Sequence, residues 1–473
     1  MHAHRALYRQ NIYINYHREI KIMELKGRTI IVAGSGKSGI GAAKLLVNVG
    51  AEVILYDGNE KLDKAEIATR ISEDNTIEVV LGELPQEVID RADLMILSPG
   101  IAVDAPFVNT VRDCGVEIWG EVELAYRVGR GRLAAITGTN GKTTTTALVG
   151  EILASYYEKV DVVGNIGTPY TSTALDSSDD TVTVAEISSF QLETIHMFKP
   201  EVSAVLNITP DHLNRHYTME NYAAVKMSIA MNQDPDQVCV LNYEDPILIE
   251  EAKKLKNKVV FFSSKRTLEE GVFLEGDNIV YRENGKNIFI IGKDESNLVG
   301  IHNVENIMAA IAIAYNMNVP VDVINHSIKK FKAVEHRIEY VETVNDVIYY
   351  NDSKGTNTDA SIKAIEAMTR PTILIAGGYD KKVTFDEWVD AFGDKIKYLV
   401  LIGATADQIE ETAIRHGYTS IIRTDSLEEA VKVCAQKAEP GYAVLLSPAC
   451  ASWDMFDSYE QRGRMYKDFV RSL

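Results

Sequence analysis

Two glycine-rich stretches carry residues suited to holding phosphate. The first, VAGSGKSGIGAA (32–43), contains Gly34-x-Gly36-x-x-Gly39, a dinucleotide fingerprint, and also Gly-Lys-Ser, the tail of a phosphate loop. The second, AITGTNGKTTT (135–145), follows an apolar run and opens a helical pattern. Its Gly138, Thr139, Asn140 and Gly141 can surround phosphate oxygens with successive backbone N–H groups, and the helix N-terminus adds positive potential. Lys142 can reach β and γ oxygens, and Thr143 or Thr144 can ligate Mg²⁺. A full Walker pattern needs glycine at 136; Ile136 stands there, so this loop is a shorter variant. A nucleotide site also needs metal ligands at strand ends. VAEISSFQLE puts Glu186 at the end of an apolar strand, and NITPDHLNRH puts Asp211 and His212 beyond another. A hard cation prefers oxygen, which favours Glu186. Taken alone, His212 reads as structural and Lys226 as a solvated helix lysine.

These groups must be positioned by regular elements, and the chain supplies them in three rounds. TIIVAG, SGIGAAKLLVNVG, AEVILYD, DLMILSPG and VEIWGE alternate strands with helical patterns. Strands without polar alternation, separated by helices, indicate a parallel sheet. The alternation restarts at LAAITG and again at DVIYYNDS. The expectation is an α/β protein of three domains: 23–127, 128–333 and 334–473. Within the second, the stretch from Val259 to Leu298 predicts a small antiparallel sheet, and NVENIMAAIAIAYNMN a buried helix. Residues 1–22 hold Arg5, Arg9, Arg18 and Lys21 but no apolar run, so they are not a signal peptide. They read as an N-terminal extension, disordered or a misassigned start, before Met23.

A chain of 473 residues exceeds one core. No apolar run approaches the ~20 residues that cross a bilayer. Cys114, Cys239, Cys434 and Cys450 lie far apart, which argues against structural zinc or disulfides and for a reducing cytosol. The formal net charge of −19 repels nucleic acid and anionic lipid. Anionic ligands must then be captured locally, by backbone N–H groups and a few placed cations.

GTNGKTTT, EISSFQLE, NITPDHLNRH, GIHNVENIMAA, EHRIE, NDSKGTNTDA and SPACASWDMF resemble the Mur ligases, ATP-dependent amide-forming enzymes of peptidoglycan synthesis. SSFQLE, NDSKGTN and SPACASWDMFDSYEQRG look most like the family's D-glutamate-adding branch. The motifs run from about residue 30 to 464. The resemblance implies a Rossmann-like first domain, a P-loop-type central ATPase domain and a Rossmann-like C-terminal domain. The first would bind the UDP of the substrate, with Gly34, Ser35, Gly36, Lys37 and Ser38 by the diphosphate or uracil and Asp57 facing the uridine half. Ser98 and Gly100 would turn near the diphosphate, while Asn165 and Ser188 would contact the sugar–alanine portion. On the fingerprint alone an oxidoreductase is preferred, with Asp57 on a ribose hydroxyl. The downstream ATP loop reverses that preference.

The resemblance also implies the rest of the site. Thr143 and Glu186 would hold one Mg²⁺; His212 and a carbamate on Lys226 would touch a second. Asn303 and Asn306 would bracket the adenine, Arg337 an ATP phosphate and Asp352 the ribose. D-glutamate would meet Thr356, Lys381, Ser452 and Tyr459. The adjacent Lys382 leaves that register open by one, and Tyr459 stands where phenylalanine is expected. ATP and Mg²⁺ are the implied cofactors. The partners are UDP-N-acetylmuramoyl-L-alanine, D-glutamate and ATP, taken up by a cytoplasmic monomer that binds neither nucleic acid nor membrane. One alternative is a Mur ligase adding lysine or diaminopimelate, disfavoured because no DNPR stretch occurs. A folate polyglutamylating ligase is disfavoured by the SPACAS ending. A non-catalytic nucleotide-binding module would bind nucleotide without metal-dependent phosphate release.

Overall fold

The computed structural model describes residues 24–72, 77–165, 167–298, 300–332, 334–380 and 383–473. The expected extension 1–22, and Lys381 with Lys382, lie outside them. The chain divides into two compact units: residues up to Gly292 with Ile307–Ile328, and Lys293–Asn306 with Lys329–Leu473.

Two sheets belong to the first unit. Strands β1 (Thr29–Ala33), β2 (Glu52–Asp57), β3 (Glu78–Leu81), β4 (Leu94–Leu97) and β5 (Glu117–Gly120) pair in parallel in the order β3-β2-β1-β4-β5. Uninterrupted apolar strands demand cover on both faces, and they have it. Ile30 and Val32 point into one core with Ile40 and Leu45 of the helix Lys37–Asn48. Ile31 and Ala33 point into another with Val108 and Val111 of the helix Pro106–Asp113. Each fully buried Val, Ile or Leu side chain among these contributes about 1.5–3 kcal/mol.

The second sheet comprises β6 (Arg132–Thr137), β7 (Val160–Gly164), β8 (Val182–Glu186), β9 (Val202–Val205), β10 (Val238–Asn242), β11 (Lys258–Ser263), β12 (Gly271–Glu275), β13 (Asn278–Glu283) and β14 (Lys286–Gly292). Their order is β14-β13-β12-β11-β10-β9-β6-β8-β7. The separate small sheet expected between Val259 and Leu298 is not formed. Strand β11 pairs in parallel with β10, and β12 joins β11 through Phe262↔Val272 and Ser263↔Phe273. The antiparallel β12-β13-β14 meander therefore extends the parallel sheet. It covers an edge whose backbone groups would otherwise be unpaired. The helix Ile301–Asn316 forms as its sequence predicts, with Met308 to Ala314 fully buried.

The second unit carries β15 (Glu339–Val344), β16 (Val347–Asn351), β17 (Thr372–Ala376), β18 (Ile396–Leu401), β19 (Ile421–Arg423) and β20 (Ala443–Leu446). The order is β15-β16-β20-β17-β18-β19, parallel except for the β15–β16 hairpin. Alternate residues again enter two cores, Leu374 and Leu399 one, Ile373 and Val400 the other. In open sheets of this kind ligands settle beyond the carboxyl ends of strands where the winding direction reverses. In the first unit those places are the β1–β4 junction and the surroundings of β6. Among the described residues no helix is long and apolar enough to cross a membrane.

Candidate active site

The first glycine loop sits at the β1–β4 junction. Gly34 to Ser38 leave β1, and Ser98, Pro99 and Gly100 leave β4. With Asp57 they line a cavity of about 480 Å³. The helix Lys37–Asn48 starts tight against the strand, for a Cβ on Gly39 would stand 1.8 Å from the Gly34 carbonyl oxygen. The Ser35 N–H and hydroxyl both donate to Asp57 Oδ2, at 2.9 and 2.6 Å. Burial raises the Asp57 pKa, but these bonds and one from the Asn59 N–H outweigh it and hold the carboxylate below its usual range. Tyr56 and Phe107 complete the lining, edge to face with ring centroids 5.0 Å apart. Sequence reasoning missed both, because an aromatic residue near a strand end (Tyr56) or in the first turn of a helix (Phe107) reads as core. The Ser98 hydroxyl is buried with no partner among the described residues.

The second loop leaves β6 and opens the helix Lys142–Ala154. Its N-cap, Gly141, lies in the left-handed region at φ 85°, where a glycine is unstrained. Asn207 and Thr209 hold the loop from behind. Thr139 N–H donates to the Asn207 carbonyl at 2.9 Å, and Asn140 N–H to Asn207 Oδ1 at 2.8 Å. The Thr139 hydroxyl reaches the Thr209 carbonyl at 3.1 Å. These supports were also missed, though they lie within the quoted NITPDHLNRH. Lys142 Nζ donates to the Gly138 and Thr139 carbonyls, both at 2.8 Å. Thr143 and Thr144 are buried in the first helical turn.

Around this loop the structure gathers residues from five other sequence segments. A cavity of about 310 Å³ is lined by Pro99 and Gly100 of the first cradle together with Lys142, Asn165, Ser188, His212 and Lys226. Lys226 is not solvated as its sequence context suggests. It is 2% exposed, with Nζ donating to the Gly138 carbonyl at 2.8 Å and lying 4.7 Å from the Tyr222 ring centroid. Burial and the nearby Lys142 ammonium hold its amine well below the usual lysine range. Glu186, 1% exposed at the end of β8, accepts from Asn165 Nδ2 at 2.8 Å through Oε1. Its Oε2 is buried with no hydrogen-bond partner among the described residues. His212 caps the short helix Leu213–His216 in the left-handed region, half-exposed, with its ring 4.8 Å from that of Phe190.

An orphaned buried carboxylate oxygen beside a phosphate-type loop suits a divalent cation. No group of three His, Cys, Asp or Glu side chains among the described residues is arranged as a closed metal cage.

The remaining expected residues belong to the second unit. Asn303 and Asn306 are buried, and Asn306 Nδ2 donates to Asn303 Oδ1 at 3.0 Å. Asp352, 1% exposed at the end of β16, accepts from the Ser447 hydroxyl at 2.7 Å and the Ile338 N–H at 3.3 Å. Burial lifts its pKa to about 6, partly opposed by Arg337 and the Ser447 hydrogen bond. Arg337 lies between His336 and Ile338, both at positive φ, and its Nε is buried without a partner among the described residues. Thr356 follows β16, Ser452 is buried beyond β20, and Tyr459 opens the helix Tyr459–Arg471, with Lys354 Nζ 5.7 Å from its ring centroid. Lys381 lies outside the described residues. Arg462, unassigned by the sequence, ties these loops together. Its guanidinium donates to the Ser353 hydroxyl and carbonyl, both at 2.9 Å, and to the Cys450 carbonyl at 3.2 Å.

Comparison with known proteins matches three family descriptions in chain order: Mur ligase MurD-like, N-terminal domain over residues 28–120, Mur ligase middle domain over 136–314, and Mur ligase, glutamate ligase domain over 336–450. The UDP-N-acetylmuramoylalanine–D-glutamate ligase of Lachnospira eligens is 54% identical over 451 residues, 95% of this chain and 100% of that protein. The ligase of the same name from Clostridioides difficile is 46% identical over 452 residues, covering 95% and 100%. Among solved structures, UDP-N-acetylmuramate-alanine ligase MurC from Thermotoga maritima aligns with a TM-score of 0.60 at 18% identity, covering 94% of this chain and 99% of that one. MurF ligase from Thermotoga maritima in complex with ADP gives 0.59 at 17%, covering 95% and 97%. These two likenesses speak for the fold.

Proposed function

The chain belongs to the Mur ligase family, and we propose that it acts as the D-glutamate-adding member. It joins the amine of D-glutamate to the carboxylate of UDP-N-acetylmuramoyl-L-alanine at the expense of ATP, in peptidoglycan precursor synthesis. The observation that carries the reading is the cavity in which the diphosphate turn of the first cradle meets Lys142, His212 and Lys226 of the second. Such a meeting suits a reaction that must bring an acid to a triphosphate. It has no use in a dehydrogenase.

A free carboxylate does not form an amide in water, so activation comes first. The substrate carboxylate attacks the γ-phosphorus, ADP leaves, and an acyl phosphate forms. The D-glutamate amine then attacks the acyl carbon; the tetrahedral adduct expels phosphate and the nitrogen gives up a proton. Both steps crowd negative charge, so the protein's contribution is positioning and cations fixed in advance. In this reading Gly138 to Gly141 cradle the triphosphate by their N–H groups. Lys142 exchanges its contacts with the loop carbonyls for β and γ oxygens. Thr143 and Glu186 are the oxygen ligands that fit Mg²⁺, which when bound neutralises phosphate charge. A buried, readily neutral Lys226 amine is the form that adds CO₂, so a carbamate there suits the site, beside His212. Asn165 and Ser188 face the sugar–alanine portion, and Gly34 to Ser38, Asp57, Ser98 and Gly100 hold the UDP. Asn303, Asn306, Arg337 and Asp352 serve the rest of ATP, and Thr356, Ser452, Tyr459 and Lys381 the amino acid. ATP and nucleotide-sugar as substrates suit the cytoplasm.

Phosphate release from ATP with UDP-N-acetylmuramoyl-L-alanine tests the reading, offering D-glutamate, L-glutamate, L-lysine or diaminopimelate as acceptor. Turnover is expected with D-glutamate alone and only with Mg²⁺; turnover with a diamino acid instead would move the chain to a neighbouring ligase. Lys142→Ala should abolish turnover while UDP-substrate binding survives.

A further inference from the structure

The two cradles are joined by a side chain that the reaction itself does not use. Arg215 stands on the helix Leu213–His216, directly behind His212. Its Nη1 and Nη2 donate to the carbonyls of Pro99 and Ile101, at 3.2 and 2.8 Å, so it grips the diphosphate turn of the first sheet by its backbone. The guanidinium is held in turn by Glu193, whose Oε2 accepts from Nε at 3.1 Å, and it lies 4.5 Å from the Phe190 ring centroid. Both charges are largely buried. A second contact runs alongside, from the Tyr217 hydroxyl to Asp104 Oδ2 at 2.6 Å. Tyr217, at positive φ, closes the segment that His212, also at positive φ, begins. The backbone of this segment is thus set at both ends and pinned to the other sheet in between.

A pair of carbonyls presented by one turn matches the fork of an arginine, not the point charge of a lysine. Burying an ion pair costs desolvation and is weak grounds for stability. Here it fixes the distance between the turn beside the UDP diphosphate and the loop that carries His212.

We propose that Arg215, oriented by Glu193, is a positioning residue that keeps the diphosphate turn in register with the His212 loop, so that a substrate anchored by its UDP tail presents its carboxylate to the γ-phosphate. The inference rests on the ligase reading given above. It follows that each ligand binds on its own without Arg215, while the chemical step suffers, since displacements of about 1 Å cost roughly a hundredfold in rate.

The test compares the full-length chain with Arg215→Lys and Glu193→Gln. It measures kcat for D-glutamate-dependent phosphate release, the affinity and stoichiometry for UDP-N-acetylmuramoyl-L-alanine and for a non-hydrolysable ATP analogue separately, and thermal melting. Arg215→Lys should lower kcat by about tenfold to a hundredfold, with each affinity within about threefold and stoichiometry and melting preserved. Glu193→Gln, which keeps the acceptor oxygen but loses the charge, should show the same split with a smaller loss. A kcat within about twofold of the parent in Arg215→Lys would overturn the proposal. So would a fall in kcat matched by lost stoichiometry or melting, which marks a purely structural arginine. If the parent releases no phosphate with D-glutamate, the ligase reading itself fails, and the inference falls with it.

Discussion

Two buried ionisable side chains separate what a residue type suggests from what its surroundings impose. Lys226 has the sequence context of a solvated helix lysine, yet its amine is enclosed against the Gly138 carbonyl and the Tyr222 ring. Asp352 ends a strand, a usual place for an exposed carboxylate, yet burial lifts its pKa to about 6. The sign of its effect follows from linkage. A carboxyl raised from 3.8 to about 6 on folding favours the protonated form. Its stabilising contribution is present below pH 3.8 and lost as pH rises through about 6. At neutral pH the charge costs up to about 3 kcal/mol, at 1.36 kcal/mol per unit. Asp352→Asn should therefore unfold at a higher temperature than the parent at pH 7–8, with the difference vanishing near pH 4. Melting curves across that range measure it, and a constant difference would show that this carboxyl does not titrate as described.

Loops and helix starts carry the binding geometry. The first helix begins so close to its strand that only glycine fits at position 39. Gly39→Ala must push the helix start away from Gly34, and overpacking of this kind costs about 1–3 kcal/mol. The expected result is a lower melting temperature and a marked loss of UDP-substrate affinity, with binding of the ATP analogue retained, read by titration calorimetry. Equal loss of both ligands would mean that the cradles are not separate elements. The second loop lacks the Walker glycine, and the reason it still closes is tertiary. Asn207 and Thr209, arriving from the end of β9, supply the carbonyl and amide partners that bind the loop backbone.

The whole molecule holds two compact units with cores of their own. A ligand that binds a folded unit raises its stability by RT ln(1 + [L]/Kd), about 2.7 kcal/mol at a hundredfold excess over Kd. Calorimetry should show more than one transition, and UDP-N-acetylmuramoyl-L-alanine should shift the one that belongs to the first unit. One transition moving as a whole would refute independent unfolding. At this scale too the net charge of −19 matters. The surface repels polyanions, and the lysines at the two glycine-rich loops are few and placed: Lys37 at the first, Lys142 at the second.

Hydrophobic patterning and glycine spacing in the sequence determined three rounds of strand and helix and both glycine-rich loops. Those signals are local, set by the period of side-chain burial and by backbone angles open to few residue types. The motifs determined the family for the same reason, each being a contiguous string bound to one turn. Tertiary structure alone decided that β12 to β14 extend the central sheet, that Tyr56 and Phe107 wall the first cavity, and that Lys226 is buried. It alone brought Arg215 onto the carbonyls of a turn more than a hundred residues earlier. Burial and long-range pairing depend on what the rest of the chain packs against a residue, and no local stretch of sequence records its distant neighbours.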